Sequence, residues 1–290
     1  MDGADESVGG PDRGPEGLRR EAAAELEGPV GRAGRGPMEI EGKVAVVTGS
    51  SSGVGEATAE LLASLGASVV VNHHSGAEAA ERIVGGIRES GGKAVAVQAD
   101  MRKDADCRRL VDSAVEAFGA LHILVNNAGM THFIAHDDLE GVTDDVWDDI
   151  LGANLRGVFN CTRAAAPHMR AAGEGAVVNV ASIAGIGGGG SSIPYAASKA
   201  AVIVMTKSLA RVLGPEIRVN TIAPGFIEGR WLRGGLGDEN YDRAQERVSA
   251  GAPLQGVATP ETCADAILAL IERNVFVTGH TVTVDGGWSL

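Results

Sequence analysis

An α/β fold built on one doubly wound parallel sheet is predicted by three features of this 290-residue sequence. Strand-like runs alternate with helical patterns from Lys43 onward. Those runs are continuously apolar instead of alternating, which suits strands covered by helices on both faces. A glycine-rich turn, "TGSSSGVG" at 48–55, joins the first run directly to the first helix.

In chain order, "KVAVVTG" predicts a strand, "EATAELLASLG" a helix, "SVVVN" the second strand and "AEAAERIVGGIRESG" the second helix. "KAVAVQAD", "DADCRRLVDSAVEAFG" and "LHILVNNAG" continue as strand, helix and strand. The runs "GAVVNVAS", "IRVNTIAPG" and "TVTVDGG", with helices between them, bring the count to about seven strands and leave no room for a second domain. The single folded domain is therefore 38–290. Residues 1–37 are dense in Gly, Pro and charge and read as a disordered leader. Met38 stands just before the first strand and is a candidate true start.

Composition narrows the function classes. With 44% hydrophobic residues the chain can bury a full core, and a net charge of −13 disfavours nucleic acid, whose phosphates need clustered Lys and Arg. No run approaches the ~20 apolar residues of a membrane span, and the N-terminus lacks a signal-peptide pattern, so the cytoplasm is expected. Cys107, Cys161 and Cys263 are odd in number and outside any C-x-x-C, and they read as reduced core thiols.

The glycine turn has the chemistry of an anion site. Gly49 permits the turn, Gly53 lets backbone approach a pyrophosphate, and Gly55 lets helix and sheet pack closely. Ser50, Ser51 and Ser52 add hydroxyl donors, and Ser51, Ser52 and Val54 complete the candidate cofactor turn with the three glycines. Tyr195 and Lys199 are four apart on a predicted helix and share one face. A nearby ammonium is expected to pull a phenol's pKa down toward the working range of a general acid/base. Ser182 ends a strand on the ligand-binding side of an open sheet, where its hydroxyl can hold a substrate oxygen.

These motifs, with "NNAG" at 126–129, "ANLRG" around Asn154, "YAASK" at 195–199 and "APG" at 223–225, occur together and in order. On them the chain resembles the short-chain dehydrogenase/reductase family over about residues 40–290, in its single-domain, Rossmann-type branch. The wording is most similar to 3-oxoacyl reductases and sugar dehydrogenases. The resemblance implies hydride transfer between a nicotinamide and a carbonyl or secondary alcohol, with Tyr195 as general acid/base and Ser182 polarising the oxygen. Lys199 would also hold the nicotinamide ribose, and Asn154 would complete a proton relay through water. Asp100 and Met101 would border the adenine, while Asn126, Ala128 and Gly129 would form the floor. Pro224, Gly225 and Ile227 would lie beside the nicotinamide, although the threonine common just after that turn is missing from "PGFIEGRW". The family also implies a homotetramer or homodimer.

Asn72 stands where an NAD-preferring member has an acid, so NADP is expected over NAD. His73, His74 and Ser75, read as a loop, are the candidate phosphate donors, in the absence of an arginine. A histidine clamp implies NADPH affinity that falls as pH rises through the imidazole range. The resemblance also implies a catalytic domain over 38–290 with a substrate lid over about 226–254, in which Phe226, Trp231, Leu232, Leu236 and Tyr241 are expected to cover an apolar substrate, with Gly234, Gly235 and Gly237 as hinges. No Lys or Arg lies between Arg170 and Lys199, which weakens a role on acidic carrier proteins. His132 and His136 precede two aspartates, but hydride chemistry needs no metal and none is expected. The alternatives are a 3-oxoacyl thioester reductase of fatty-acid synthesis and a nucleotide-sensing regulatory protein without turnover.

Overall fold

The computed structural model describes residues 36–290, so the leader expectation falls outside the described residues up to residue 35, whereas Met38 is described, buried, with its N–H donating to the Glu272 carbonyl at 3.0 Å. Seven strands form one parallel sheet: β1 (Val44–Val47), β2 (Ser68–His73), β3 (Lys93–Gln98), β4 (Ile123–Asn126), β5 (Gly175–Val180), β6 (Ile217–Pro224) and β7 (Thr281–Val284). Their spatial order is β3-β2-β1-β4-β5-β6-β7. The direction of sheet growth reverses between β1 and β4, and the crevice at such a switch point is where open α/β sheets bind ligands. Here "TGSSSGVG" and "NNAG" face each other across that crevice: the Thr48 hydroxyl accepts the Asn127 and Ala128 N–H groups, both at 2.9 Å.

The continuous apolar strands are explained by two core layers. Val47, Val69 and Val71 pack with Leu62, Ile83, Ile267 and Ile271, which come from α1 (Gly53–Ser64), α2 (Ala77–Glu89) and a late helix, Pro260–Glu272. Val46 and Val70 face the other way, onto Leu110 of α3 (Asp104–Phe118) and Met169. The edge strands depart from the pattern: β3 buries Ala94 alone and β7 buries no residue fully. With a neighbour on one side only, these strands keep more of their surface in solvent.

After β4, α4 (Asp144–Leu151) continues through a π-helical turn, Gly152–Arg156, into α5 (Gly157–Ala171). Gly157 has a packing reason, since a Cβ there would lie 2.8 Å from the Met101 carbonyl oxygen. A short α6 (Ala184–Gly187) and the long α7 (Ile193–Leu213) follow β5. The lid is α8 (Arg230–Leu236) and α9 (Asp238–Gly251), and α10 (Pro260–Glu272) precedes β7. All three cysteines are buried and free, and two of them meet at one place: Cys107 bonds the Met101 carbonyl at 3.5 Å and Cys161 lies 3.6 Å from its sulfur.

Candidate active site

Helix α7 begins with Ser192, whose hydroxyl accepts the Tyr195 N–H at 3.4 Å, and a proline in the first turn fixes the entry. One turn later Lys199 is buried, its Nζ donating to the Val180 carbonyl at the end of β5 at 2.8 Å. That Nζ lies 5.7 Å from the centre of the Tyr195 ring. Ser182 follows β5 directly. Its Oγ accepts the Ala184 N–H at 3.1 Å and hydrogen-bonds the Tyr195 phenol. Asn154 is fully buried within the π turn, a distortion often found at functional sites. It accepts the Met130 N–H at 2.8 Å and donates to the Met130 carbonyl at 2.9 Å and to Ser198 Oγ at 3.1 Å. Ser198 in turn donates to the Tyr195 carbonyl at 2.7 Å, so Asn154 braces the Tyr195 turn.

The electrostatics correct the expected lowering of the phenol. Burial pushes Tyr195 up to about 12, against the pull of the Ser182 hydrogen bond. Burial also brings Lys199 down to about 8. The ammonium is aimed at the Val180 carbonyl, and desolvation outweighs its attraction for a phenolate. Tyr195 is therefore a protonated donor at neutral pH, while Lys199 titrates close to it.

The glycine turn divides between structure and open space. A Cβ on Gly49, at φ 62°, would lie 2.8 Å from the Ala128 Cα, and one on Gly55 would lie 2.5 Å from the Asn127 amide nitrogen. Gly53, at φ 57°, has open space where a Cβ would point, the space a close-approaching ligand needs. Ser50 is not a donor to that space, because it is buried and its hydroxyl donates to the Val47 carbonyl at 2.7 Å. Ser51 and Ser52 are partly or fully exposed in the turn.

A family model described as enoyl-(acyl carrier protein) reductase matches residues 49–289. The ketoacyl reductase 2 named for the granaticin polyketide synthase of Streptomyces violaceoruber is 44% identical over 85% of this chain and 96% of its own length. The 3-oxoacyl-acyl-carrier-protein reductase FabG of Thermotoga maritima is 36% identical over 86% of this chain and 99% of its own. A solved structure from Burkholderia xenovorans, named as a short-chain dehydrogenase/reductase, matches with a TM-score of 0.78 at 36% identity, covering 85% of this chain and 98% of that one. This chain belongs to the short-chain dehydrogenase/reductase family. It is an oxidoreductase, and its family works with a nicotinamide cofactor.

The site of this short-chain dehydrogenase/reductase fits such a cofactor. Beyond the open space at Gly53, a Cβ on Gly129 would touch Lys199 Nζ at 3.4 Å and Asn154 Oδ1 at 3.5 Å, so the glycine leaves that side of both polar atoms uncovered. Pro224 closes β6, and the Gly225 N–H bonds the Val284 carbonyl at 3.0 Å. Ile227 bridges to Ala258, which anchors the start of the lid.

The side chains of several expected cofactor residues make internal bonds. Asn126 ties strands, donating to Asn179 at 2.8 Å and to Thr162 at 3.1 Å. Asn72 is buried, and its Oδ1 accepts the Gly49 N–H at 2.8 Å while its amide donates to the Val97 and Ala99 carbonyls. Strand β2 runs one residue further than "SVVVN" suggests. His73 therefore belongs to the sheet and is only 7% exposed, whereas His74 and Ser75 stay in the open. Its Nδ1 is buried without a hydrogen-bond partner among the described residues. The Met101 side chain is core, packed under α5.

Arg102, not singled out in the sequence, holds the Asp100 carboxylate with its Nε at 3.1 Å and a terminal nitrogen at 3.0 Å, and reaches Asp149 at 2.7 Å. Its guanidinium keeps Asp100 below the usual carboxylate range. The signal was present as "ADMR", an arginine two residues past the acid. His132 pairs with Asp149 at 3.4 Å and not with His136. Among the described residues no cluster of His, Cys, Asp and Glu could hold a metal.

The lid is also revised. Tyr241 is buried, stacks on Phe226 at 5.1 Å and accepts the Gly229 N–H at 3.1 Å, so it locks the hinge and does not cover a substrate. Gly234 and Gly235 lie inside α8 and are not hinge residues, while Gly237 separates α8 from α9. Trp231 is on the site side, 6.2 Å from the Tyr195 ring, and Phe133, missed in the sequence, stands 5.9 Å from Trp231.

Proposed function

We propose that this enzyme is an NADPH-preferring reductase of small-molecule carbonyls, with 3-oxoacyl compounds as the first class to try. The observation that carries this reading is the Tyr195 phenol, kept protonated at neutral pH and hydrogen-bonded to Ser182, with Lys199 Nζ 5.7 Å from its ring centre. A reduced nicotinamide, when bound, supplies a hydride to the carbonyl carbon. Ser182 Oγ and Tyr195 Oη hold the carbonyl oxygen, and as the C=O π pair moves onto that oxygen, Tyr195 gives it the phenolic proton. Lys199, whose pKa burial brings down to about 8, is suited to resupply that proton and to hold the nicotinamide ribose. Asn154, through Met130 and Ser198, positions the floor and the tyrosine turn. Alcohol oxidation runs the same steps backward.

The NADP preference is supported by the loop beyond β2, where His74 and Ser75 lie exposed and no carboxylate stands among residues 73–76. Assembly as a homotetramer or homodimer is part of the same reading, supported by Phe159, Val204 and Val212, apolar residues left exposed on α5 and α7. So are the single catalytic domain from residue 38 and a cytoplasmic location, the latter resting on three buried free thiols.

The test is NADPH consumption by the purified protein with an acetoacetyl thioester and a panel of ketones, repeated with NADH and with Tyr195→Phe. Tyrosine-dependent turnover favouring NADPH is the expected result. Full activity in Tyr195→Phe, or preference for NADH, would overturn the corresponding part.

A further inference from the structure

We propose that Phe133 and Trp231 form an aromatic wall beside Tyr195 that selects ketones carrying a flat, unsaturated ring next to the reacting carbonyl. This rests on the reductase reading above. The Trp231 ring lies 6.2 Å from Tyr195 with planes tilted by 44°, and Phe133 lies 5.9 Å from Trp231 at 56°. Both separations fall in the range of favourable aromatic pairs. The three rings thus form a series leading away from the phenol. Yet Trp231 is 51% and Phe133 37% exposed, so ring surface remains uncovered where a substrate would enter.

The wall is held in place from several sides, unlike a loose apolar surface. The Phe133 loop is stitched to the segment before α7: the Ile134 N–H donates to the Ser191 carbonyl at 2.9 Å, and the Thr131 and Ser191 hydroxyls meet at 2.7 Å. Helix α8 lays its backbone on the Phe133 ring at Gly235, where an added Cβ would collide with it. Arg233 lies 4.1 Å from the Tyr241 ring centre and pairs with Asp238 and Asp242, which fixes the α8–α9 junction. Rings held in this way keep their faces in one orientation, which favours a flat partner over a flexible chain.

A run of four glycines, 187–190, also borders Tyr195 and offers no side chains. A Cβ on Gly190 would lie 3.5 Å from the Tyr195 ring, whereas Gly187, Gly188 and Gly189 face open space. One approach to the phenol is thus lined by fixed rings and the other by bare backbone. That combination leaves width for a ring system and gives a linear chain little to pack against. Stacking on such a wall adds about two- to tenfold per ring pair beyond the area buried.

The experiment compares kcat/KM for a benzo-fused cyclic ketone, 2-tetralone, whose carbonyl lies one methylene from the aromatic ring, with that for a linear acetoacetyl thioester, using the full-length enzyme and NADPH. The ring ketone is expected to be favoured by about tenfold. Trp231→Ala and Phe133→Ala should each cut that ratio about fivefold, and Trp231→Phe should restore most of it. NADPH titration of each variant confirms that it is folded. Quenching of indole fluorescence by 2-tetralone, lost in Trp231→Phe, reads the wall without turnover. A ratio near one in the wild type, or one unmoved by Trp231→Ala, overturns the proposal. Quenching without any Tyr195-dependent NADPH oxidation would instead sink the reductase reading and leave the wall standing.

Discussion

Asn72 Oδ1 accepts the Gly49 N–H at 2.8 Å, so the residue at the end of β2 braces the first glycine of the nucleotide turn. Its amide donates inward, to the Val97 and Ala99 carbonyls at 3.2 and 3.3 Å. An acid at this position would face those carbonyls and not a ribose. Asn72→Asp is therefore expected to lose ~1–3 kcal/mol of stability and to leave the preference between NADPH and NADH unchanged. Chemical denaturation and paired cofactor titrations check both; a switch to NADH would show that this side chain reaches the ligand.

The low pKa of Lys199 predicts opposite pH trends for activity and stability. Its ammonium is present below about pH 8 and lost above it. Carbonyl reduction should accordingly hold steady from pH 6 and fall with an inflection near 8. Stability behaves differently, because a depressed folded-state pKa means the unfolded chain binds the proton more tightly between about 8 and the ordinary lysine value, ~10.4. Wild type should gain on Lys199→Met as pH rises from 7 to 9.5. Tyr195, raised to about 12, adds stability that is complete below ~10 and lost on passing 12, outside this window. Denaturant melts of the two proteins at several pH values measure the difference, and parallel curves would contradict it.

Asn154 makes three hydrogen bonds from a fully buried amide, two to Met130 and one to Ser198. Asn154→Ala would strand partners on both sides of the site, at a cost of ~2 kcal/mol or more. Because Ser198 holds the Tyr195 carbonyl, kcat should fall more than cofactor affinity. Asn154→Ser, which keeps one polar group, should recover part of the rate. Equal losses in kcat and cofactor binding would mark the asparagine as merely structural.

The sheet was legible because its central strands are buried on both faces, and a continuous apolar run such as "KVAVV" records that directly. The spacing of Tyr195 and Lys199 likewise fixed their shared face, since α7 is regular there. What the sequence did not disclose depends on direction and desolvation. Nothing in "SVVVNHHSG" says that Asn72 turns inward, or that His73 is still strand, because both facts come from the neighbouring β3 backbone. The sign of the Tyr195 shift was missed for a similar reason. Four-residue spacing reports proximity to Lys199, whereas the depth of burial is a property of the assembled site. Phe133 lies in an irregular segment whose place beside Trp231 depends on long-range bonds to Ser191.

Gly235 of α8 lies against Phe133 so closely that any side chain at this position must displace the ring. Gly235→Ala keeps a helix-compatible residue, and by intrinsic propensity alone it should stabilise α8 by ~1 kcal/mol. The collision should outweigh that gain for function. The Phe133 ring can swing away only by leaving Trp231, and the lid can lift only by withdrawing Trp231 from Tyr195. Either response opens the wall, so KM for a ring ketone should rise several-fold with little loss of NADPH affinity. Adding Phe133→Ala removes the obstacle and lets α8 settle at its original height. The double variant should therefore have a lower KM than the additive effects of the two single substitutions require, a coupling that a double-mutant cycle reads directly. Strict additivity would mean that Phe133 and Gly235 do not control the lid through their contact.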